Sequence, residues 1–334
     1  MLQVQDSAVE QKDAKKLLKD KMGSLVGSMG LLLVILIFGI VLSILSPVFL
    51  TMTNITNLFI QSTILLTLAL GVTFVLMTGG IDISVGSILA VSSAVGLGLI
   101  KGGVPTVIGI IIMLGIGAVF GLVNGVLTTR FQIPALIVTL GTMGIGRGLV
   151  LIYTNGANIT PVPKSFQVIA YGRFLGIPVL ILIVAILSVL WGLVLAYTVF
   201  GRSVYATGGN ELAARLAGIK TKTIVTLTYV IAGIMSAVAG ILTTARLESA
   251  GPAAGTGIEM TVIAAVVIGG TSLFGGQGSI FGTVLGVIII SLVTNAVNLL
   301  GVPPAWDQLV KGVVIIVAAL LDVYRRKYAS KAKR

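Results

Sequence analysis

The chain has no cysteine and no histidine among its 334 residues, and only 10% of them are charged. That excludes a disulfide framework, thiol or imidazole catalysis and the usual zinc sites. Asp82 is the only acid that falls inside an apolar run far from its ends, while Glu259 lies at a run's edge. One such carboxylate is too few for a two-acid hydrolase and thin for a proton relay through a membrane. No lysine follows a glycine, so a phosphate-binding GxxxxGK[ST] loop is missing, and the glycine-rich stretches do not match GxGxxG. The chain therefore reads as no enzyme, with no catalytic residues, no metal and no cofactor. If it moves a solute uphill, the energy arrives from another subunit.

What the chain does have is apolar residues, 56% of the total. A soluble domain carries about 25% charged residues, so this chain cannot cover a water-facing surface. Apolar runs occur at about 24–46, 58–78, 85–100, 105–128, 133–153, 178–200, 223–245, 259–274, 280–299 and 309–323. A full helical crossing takes about twenty residues. The runs 85–100, 259–274 and 309–323 are near or below that length, and the first two border glycine-rich breaks, as half-length or re-entrant helices do.

The net charge of +12 has a distribution that argues against nucleic acid. Lys12, Lys15, Lys16, Lys19 and Lys21 precede the first run; Arg325, Arg326, Lys327, Lys331, Lys333 and Arg334 follow the last. Basic flanks of this kind mark the cytoplasmic side. Residues 1–22 also hold Asp6, Glu10, Asp13 and Asp20, and no small-residue cleavage site follows, unlike a secretory signal. Two cytoplasmic termini require an even number of crossings, eight or ten. Arg202, Arg215, Lys220 and Lys222 put the 201–222 loop on the same side; 154–177 and 247–258 fall outside. The expected protein is thus an all-α polytopic membrane protein of about eight to ten transmembrane helices in a bacterial cytoplasmic (inner) membrane, surrounded by lipid. A basic segment (1–22) precedes one membrane domain (23–324), and a basic tail (325–334) follows it.

Forty-three glycines are more than lipid-facing helices need. Gly117, Gly121 and Gly125 recur every four residues, as do Gly282 and Gly286, and Ala232, Ser236 and Gly240 form a third small-residue stripe. Such stripes let helix backbones approach closely. A weak two-fold internal repeat is also present: TGGIDISVGSI (78–88) and IGGTSLFGGQGSI (268–280) both run Gly-Gly, a polar patch, then Gly-Ser-Ile. Paired glycine-interrupted segments point to a translocation path. Polar residues that could line one are Thr78, Asp82, Ser84, Ser87, Asn124, Asn295 and Asn298. They are mostly hydroxyls and amides, which suits a neutral polyol better than an ion. Taken singly, each suits capping a helix or bonding one helix to another better than touching a solute.

The stretch ATGGNELAARLAGIK (206–220) interrupts the grease with a short amphipathic helix. Asn210 is a good N-cap and Glu211 complements the helix dipole at the first helical position. Leu212, Leu216 and Ile219 fall at i, i+4 and i+7, and Gly218 sits where a left-handed C-cap belongs, with Ile219 as its apolar partner. Two turns are not stable alone, so the helix needs something to pack on. Gly209, Asn210, Glu211, Ala213, Ala214, Leu216, Gly218 and Ile219 are the candidate contacts to a cytoplasmic motor.

GGNELAARLAGIK resembles the cytoplasmic coupling loop of permease subunits of ATP-binding-cassette (ABC) importers for monosaccharides of the ribose, xylose, arabinose and galactose type. MTGGIDISVGSILAVSSAV (77–95) is similar to that family's hallmark segment. AAGTGIEMTVIAAVVIGGTSLFGGQGSIFGTVLG (253–286) and NAVNLLGV (295–302) resemble its C-terminal signature and the segment after it. The likeness covers about residues 45–325. It implies a homodimer with a second copy of the permease, a separate cytoplasmic ABC ATPase, and an extracytoplasmic sugar-binding protein. At 258–261 the chain reads Ile-Glu-Met-Thr where the ribose-type pattern usually has Tyr-Glu-Leu-Asp, which leaves the sugar open. A permease for a nucleoside, an autoinducer sugar or a branched-chain amino acid is the nearest alternative. A secondary transporter or channel would explain the interrupted helices but not the capped one.

The chain's lack of cysteine allows a direct check of this topology. A Lys164→Cys variant is expected to react with an impermeant maleimide only from the outside of intact cells; labelling from the cytoplasmic side alone overturns the orientation.

Overall fold

A computed structural model describes residues 29–303, 305–313, 316–317 and 320. The basic N-terminal segment, the start of the first apolar run and the basic tail lie outside the described residues.

The described chain is 76% helical. In order come α1 (Met29–Leu45), α2 (Met52–Met77), α3 (Val85–Lys101), α4 (Thr106–Arg130), α5 (Ala135–Thr154) and α6 (Lys164–Tyr171). After a two-residue hairpin, β1 (Arg173–Phe174) and β2 (Ile177–Pro178), follow α7 (Val179–Tyr197), α8 (Val199–Gly209), α9 (Glu211–Leu216), α10 (Thr221–Leu247), α11 (Ile258–Ile268) and α12 (Ile280–Leu299). A last helix opens at residue 305. Helices α2, α4, α5, α7, α10 and α12 are long and apolar enough to cross a membrane; α1, α3 and α11 are shorter apolar helices. The chain is a multi-pass helical membrane protein.

Three stretches differ from the sequence expectation. The run 259–274 is helical only as far as Ile268, because Gly269 ends α11 and Gly270, at φ +90°, turns the chain away. The 201–222 segment is not a plain loop, since α8 occupies its first half. Thr198, extended at φ −97° and ψ 161°, stops α7 and starts α8, its Oγ1 accepting the Gly201 N–H at 3.1 Å. Finally, 154–177 carries α6 and the hairpin, whose turn residues Leu175 and Gly176 both have positive φ, as a tight two-residue turn demands.

Contacts between successive connections define two ends. At one, Lys101 bonds the Thr160 carbonyl, Ile159 pairs with Ala250, Tyr171 donates to Glu248 at 2.7 Å, and Asn54 meets Asn295. At the other, the Gly276 N–H donates to the Met77 carbonyl at 2.9 Å, Tyr205 donates to the Gly278 carbonyl at 2.7 Å, and Thr129 meets Thr226 at 3.1 Å. Helices α2 and α4 therefore run from the first end to the second, and α10 and α12 run back.

Helix α10 is the central post, packed on α4, α2 and α3. Of the most apolar stretch of α2, 72% is buried, against 17% for α7, so α2 is an inner helix and α7 a lipid-facing one. The small-residue stripe of α4 explains how close the post stands. A Cβ on Gly117 would run into the Gly233 carbonyl, one on Gly121 into the Tyr229 carbonyl, and one on Gly125 would lie 2.7 Å from Thr226 Cα. Between apolar helices in lipid, this contact is what association has to work with. Gly282 and Gly286 do the same for α12 against Gly269 and Ala265.

Gly121→Leu should cost more than the ~1–3 kcal/mol of an overfilled side-chain core, because backbone stands in the way. The expected outcome is a lower melting temperature in detergent or no recoverable protein. Gly115→Leu on the same helix, with open space beside it, should melt as the wild type does.

Candidate functional site

The first break lies between α2 and α3. Helix α2 ends at Met77, Gly79 takes φ +79°, and the chain runs unwound to Ser84 before α3 begins. Asp82 turns back onto the new helix. Its Oδ1 accepts from the Ser84 N–H at 2.9 Å and from Ser84 Oγ at 2.6 Å. Asn124 Nδ2, on α4, donates to Ser84 Oγ at 2.9 Å, and Thr142 Oγ1, on α5, donates to Asn124 Oδ1 at 2.8 Å. Ser87 Oγ donates to the Ser84 carbonyl at 2.8 Å. A single polar chain thus ties the break to two neighbouring helices. Asp82, Ser84, Ser87 and Asn124 are fully buried, and Asp82 Oδ2 has no hydrogen-bond partner.

The other pathway candidates sit elsewhere. Thr78 donates to the Val75 carbonyl at 2.9 Å and lies 3.4 Å from Thr228 Oγ1. Asn295 exchanges amide hydrogen bonds with Asn54 at the opposite end of the bundle, at 2.9 and 3.3 Å, and Asn298 is exposed. Four of the seven therefore come together. Two residues of this region went unread in the sequence. Thr142 is one hydroxyl among many. Arg147 carried a signal: it is a base well inside an apolar run, and its Nη1 donates to the Pro252 and Ala254 carbonyls at 2.9 and 2.7 Å.

The second break, 269–279, lies against the first. Besides the Gly276–Met77 bond, the Ser272 N–H donates to the Gln277 carbonyl at 3.0 Å, and Ser279 caps α12 by accepting the Gly282 N–H at 3.0 Å. The two echoing sequence segments are two helix–break–helix units in mutual contact.

Beside them, at the same end, is the capped helix. Asn210, extended at φ −160°, accepts the Ala213 N–H through Oδ1 at 3.0 Å. Gly218 has φ +85°; its N–H donates to the Arg215 carbonyl and that of Ile219 to the Ala214 carbonyl, both at 3.0 Å. These paired bonds are the glycine stop read from the sequence. Glu211 pairs with Arg215 at 2.7 Å and accepts from Thr221 Oγ1 at 3.1 Å, tying the helix to the start of α10. Ala214 is its one buried residue, facing the protein's own bundle. Gly209, Asn210, Glu211, Ala213 and Gly218 are exposed, Ile219 half-buried, and Leu212 and Leu216 are 67% and 82% exposed. The apolar stripe does not pack on its own chain.

A helical bundle whose two interrupted helices touch, with a rigid helix presented at the same end, is the build of a membrane transport protein. The chain belongs to the family described as branched-chain amino acid transport system / permease component, which matches residues 54–319. It is similar to the ribose import permease protein RbsC of Bacillus subtilis (strain 168), 48% identical over 303 residues, covering 90% of this chain and 94% of that one. The ribose import permease protein RbsC of Escherichia coli (strain K12) is 40% identical over 295 residues, 87% and 92% of the two chains. The L-arabinose ABC transporter permease protein AraH of Azospirillum brasilense is 38% identical over 302 residues, 90% and 89%. No solved structure matches.

The Asp82 geometry makes a graded prediction. Asp82→Asn keeps an oxygen for the Ser84 N–H and should leave transport within a few-fold of wild type. Asp82→Leu leaves buried donors unmet, at about 1–3 kcal/mol each, and should abolish transport or assembly. Equal loss from both in an uptake assay would show that the charge itself is required.

Proposed function

We propose that the chain is the membrane permease subunit of an ABC importer, forming the pathway for a monosaccharide. An extracytoplasmic binding protein delivers the sugar and a separate ATPase drives the cycle. The relatives named for ribose and L-arabinose import support the solute class. The observation that carries the reading is α9: a helix of six residues, stopped at both ends by specific caps, seated on the bundle by Ala214 and showing Leu212 and Leu216 to the outside.

Such a helix is built to transmit load. Gly209, Asn210, Glu211, Ala213, Leu216, Gly218 and Ile219 form or frame the surface offered to the ATPase, and Ala214 anchors it from behind. The subunit hydrolyses no ATP itself. Two copies enclose the pathway, the end bearing α9 and both termini lie in the cytoplasm, and 154–177 faces outward. Asp82 Oδ1, Ser84, Asn124 and Thr142 hold the broken helix in place beside the pathway through one chain of hydrogen bonds, while Asp82 Oδ2 stays without a partner.

One finding favours a second solute class. The matching family carries the description of a branched-chain amino acid permease component. Binding-protein-dependent uptake by the whole complex, with labelled D-ribose, D-xylose, L-arabinose, D-galactose and L-leucine, separates the two.

Copurification tests the docking helix. Leu216→Glu changes an exposed side chain and should release the ATPase while the permease stays at normal level. Gly218→Val places a β-branched residue at positive φ, costing roughly 1–2 kcal/mol locally, and should loosen the complex as well. If both variants retain the ATPase and transport normally, α9 is not the docking element.

A further inference from the structure

The two-residue hairpin between α6 and α7 shows its apolar side chains instead of packing them. Phe174, Leu175 and Ile177 are all exposed, Leu175 by 88%, and so is Arg173 at the base. Leu175 is the first turn residue and stands at φ +52°, with Gly176 after it at φ +82°. Asparagine or aspartate is the usual residue there, because a leucine resists the left-handed region. A leucine held in that conformation and left bare contributes little to the hairpin itself.

The base of the hairpin is fixed to its neighbours. The Gly172 N–H donates to the Val168 carbonyl and the Val179 N–H to the Gly172 carbonyl, both at 2.9 Å. A Cβ at Gly172 would strike the Val168 carbonyl and stand 3.0 Å from Val179 Cγ2, so the corner is closed by contact. Before it, α6 is seated by Phe166, fully buried with Ile241 and Ala245 of α10. No linker separates β2 from α7.

Length then sets the depth of the tip. Helix α7 has 19 residues, the most apolar of the long helices, and is largely bare toward lipid. At 1.5 Å per residue it is ~28 Å long, about the hydrocarbon thickness of a bilayer. Val179, its first residue, therefore lies at the hydrocarbon's edge. Two extended residues reach ~7 Å beyond it, and the headgroup layer on each side is about 5–8 Å deep. Whichever way the hairpin leans, its tip stays in that layer, continuous with the lipid-facing side of α7.

We propose that the hairpin is an interfacial anchor, a lipid-contact surface at the end of the bundle opposite α9. Phe174, Leu175 and Ile177 enter the boundary between headgroups and acyl chains, and Arg173 reaches the lipid phosphates, as apolar–basic interfacial segments do. The anchor holds α7 at a fixed depth, and with it the end of α10, through the Tyr171–Glu248 bond. It requires that the chain spans a membrane and is independent of what the chain carries.

The lack of cysteine makes the test direct. Full-length Leu175→Cys permease carries one nitroxide label in nanodiscs of phosphatidylethanolamine and phosphatidylglycerol. Its collisions with oxygen, which concentrates in lipid, are compared with those of a water-soluble nickel chelate. Val189→Cys, on the exposed face of α7, and Lys164→Cys, at the start of α6, mark lipid and water. The label at 175 should meet the chelate about fivefold less often than the label at 164, and oxygen more often. Collision rates equal to those at 164 overturn the anchor. So does shielding that arises only when the binding protein is added, or spin–spin broadening from the label of a second copy, since each names another occupant. A second variant separates anchoring from folding. Phe174→Thr with Leu175→Asn gives the turn its ordinary residue, so the melting temperature in detergent should not fall. A label at Ile177→Cys should nevertheless shift toward water in that background, and an unmoved label overturns the proposal.

Discussion

Hydrocarbon offers no hydrogen-bond partner to a backbone that leaves the helix. Two stretches of this chain leave it in the middle of the bundle, and much of the architecture is the means of satisfying them. The Ile81 carbonyl receives the Tyr229 and Thr139 hydroxyls, both at 3.4 Å. Asp82 supplies the acceptor for the Ser84 N–H, and Tyr205 the donor for the Gly278 carbonyl. The two breaks also serve each other through Gly276 and Met77. Helices α10, α5 and α8 must stand where these groups reach, and the glycine stripe of α4 lets α10 do so.

The same constraint joins the breaks to the presented end. Gly208, last but one in α8, lies so close to the Met77 carbonyl that no side chain fits between. Only Asn210 separates α8 from α9. A push on α9 therefore has a short path, through two stiff helices, into the carbonyl end of α2 and the unwound segment beyond it. Close-packed backbone transmits displacement where a flexible loop would absorb it.

Charge is used sparingly and in kind. The exposed Glu211–Arg215 pair adds a few tenths of a kcal/mol, as surface pairs at i, i+4 do, and serves mainly to stiffen a very short helix. Inside, Asp82 Oδ1 is locked to Ser84 and Arg147 Nη1 is held by two carbonyls, while Asp82 Oδ2 and Glu259 Oε2 are buried without a hydrogen-bond partner.

The sequence by itself determined the class, the helical runs and the capped helix, because each depends on neighbours in the chain. Apolar length selects a membrane span, and Asn210 and Gly218 set the ends of α9 through groups within five residues of themselves. It did not disclose α8, whose start depends on one threonine in an apolar stretch. Nor did it separate the polar candidates into sets, since Ser84 meets Asn124 forty residues away and Asn54 meets Asn295 across 241. Gly86, Arg147 and Glu259 share a point in space that no spacing along the chain encodes. Which polar groups bond one another, and which are buried without a partner, is decided only when the helices pack.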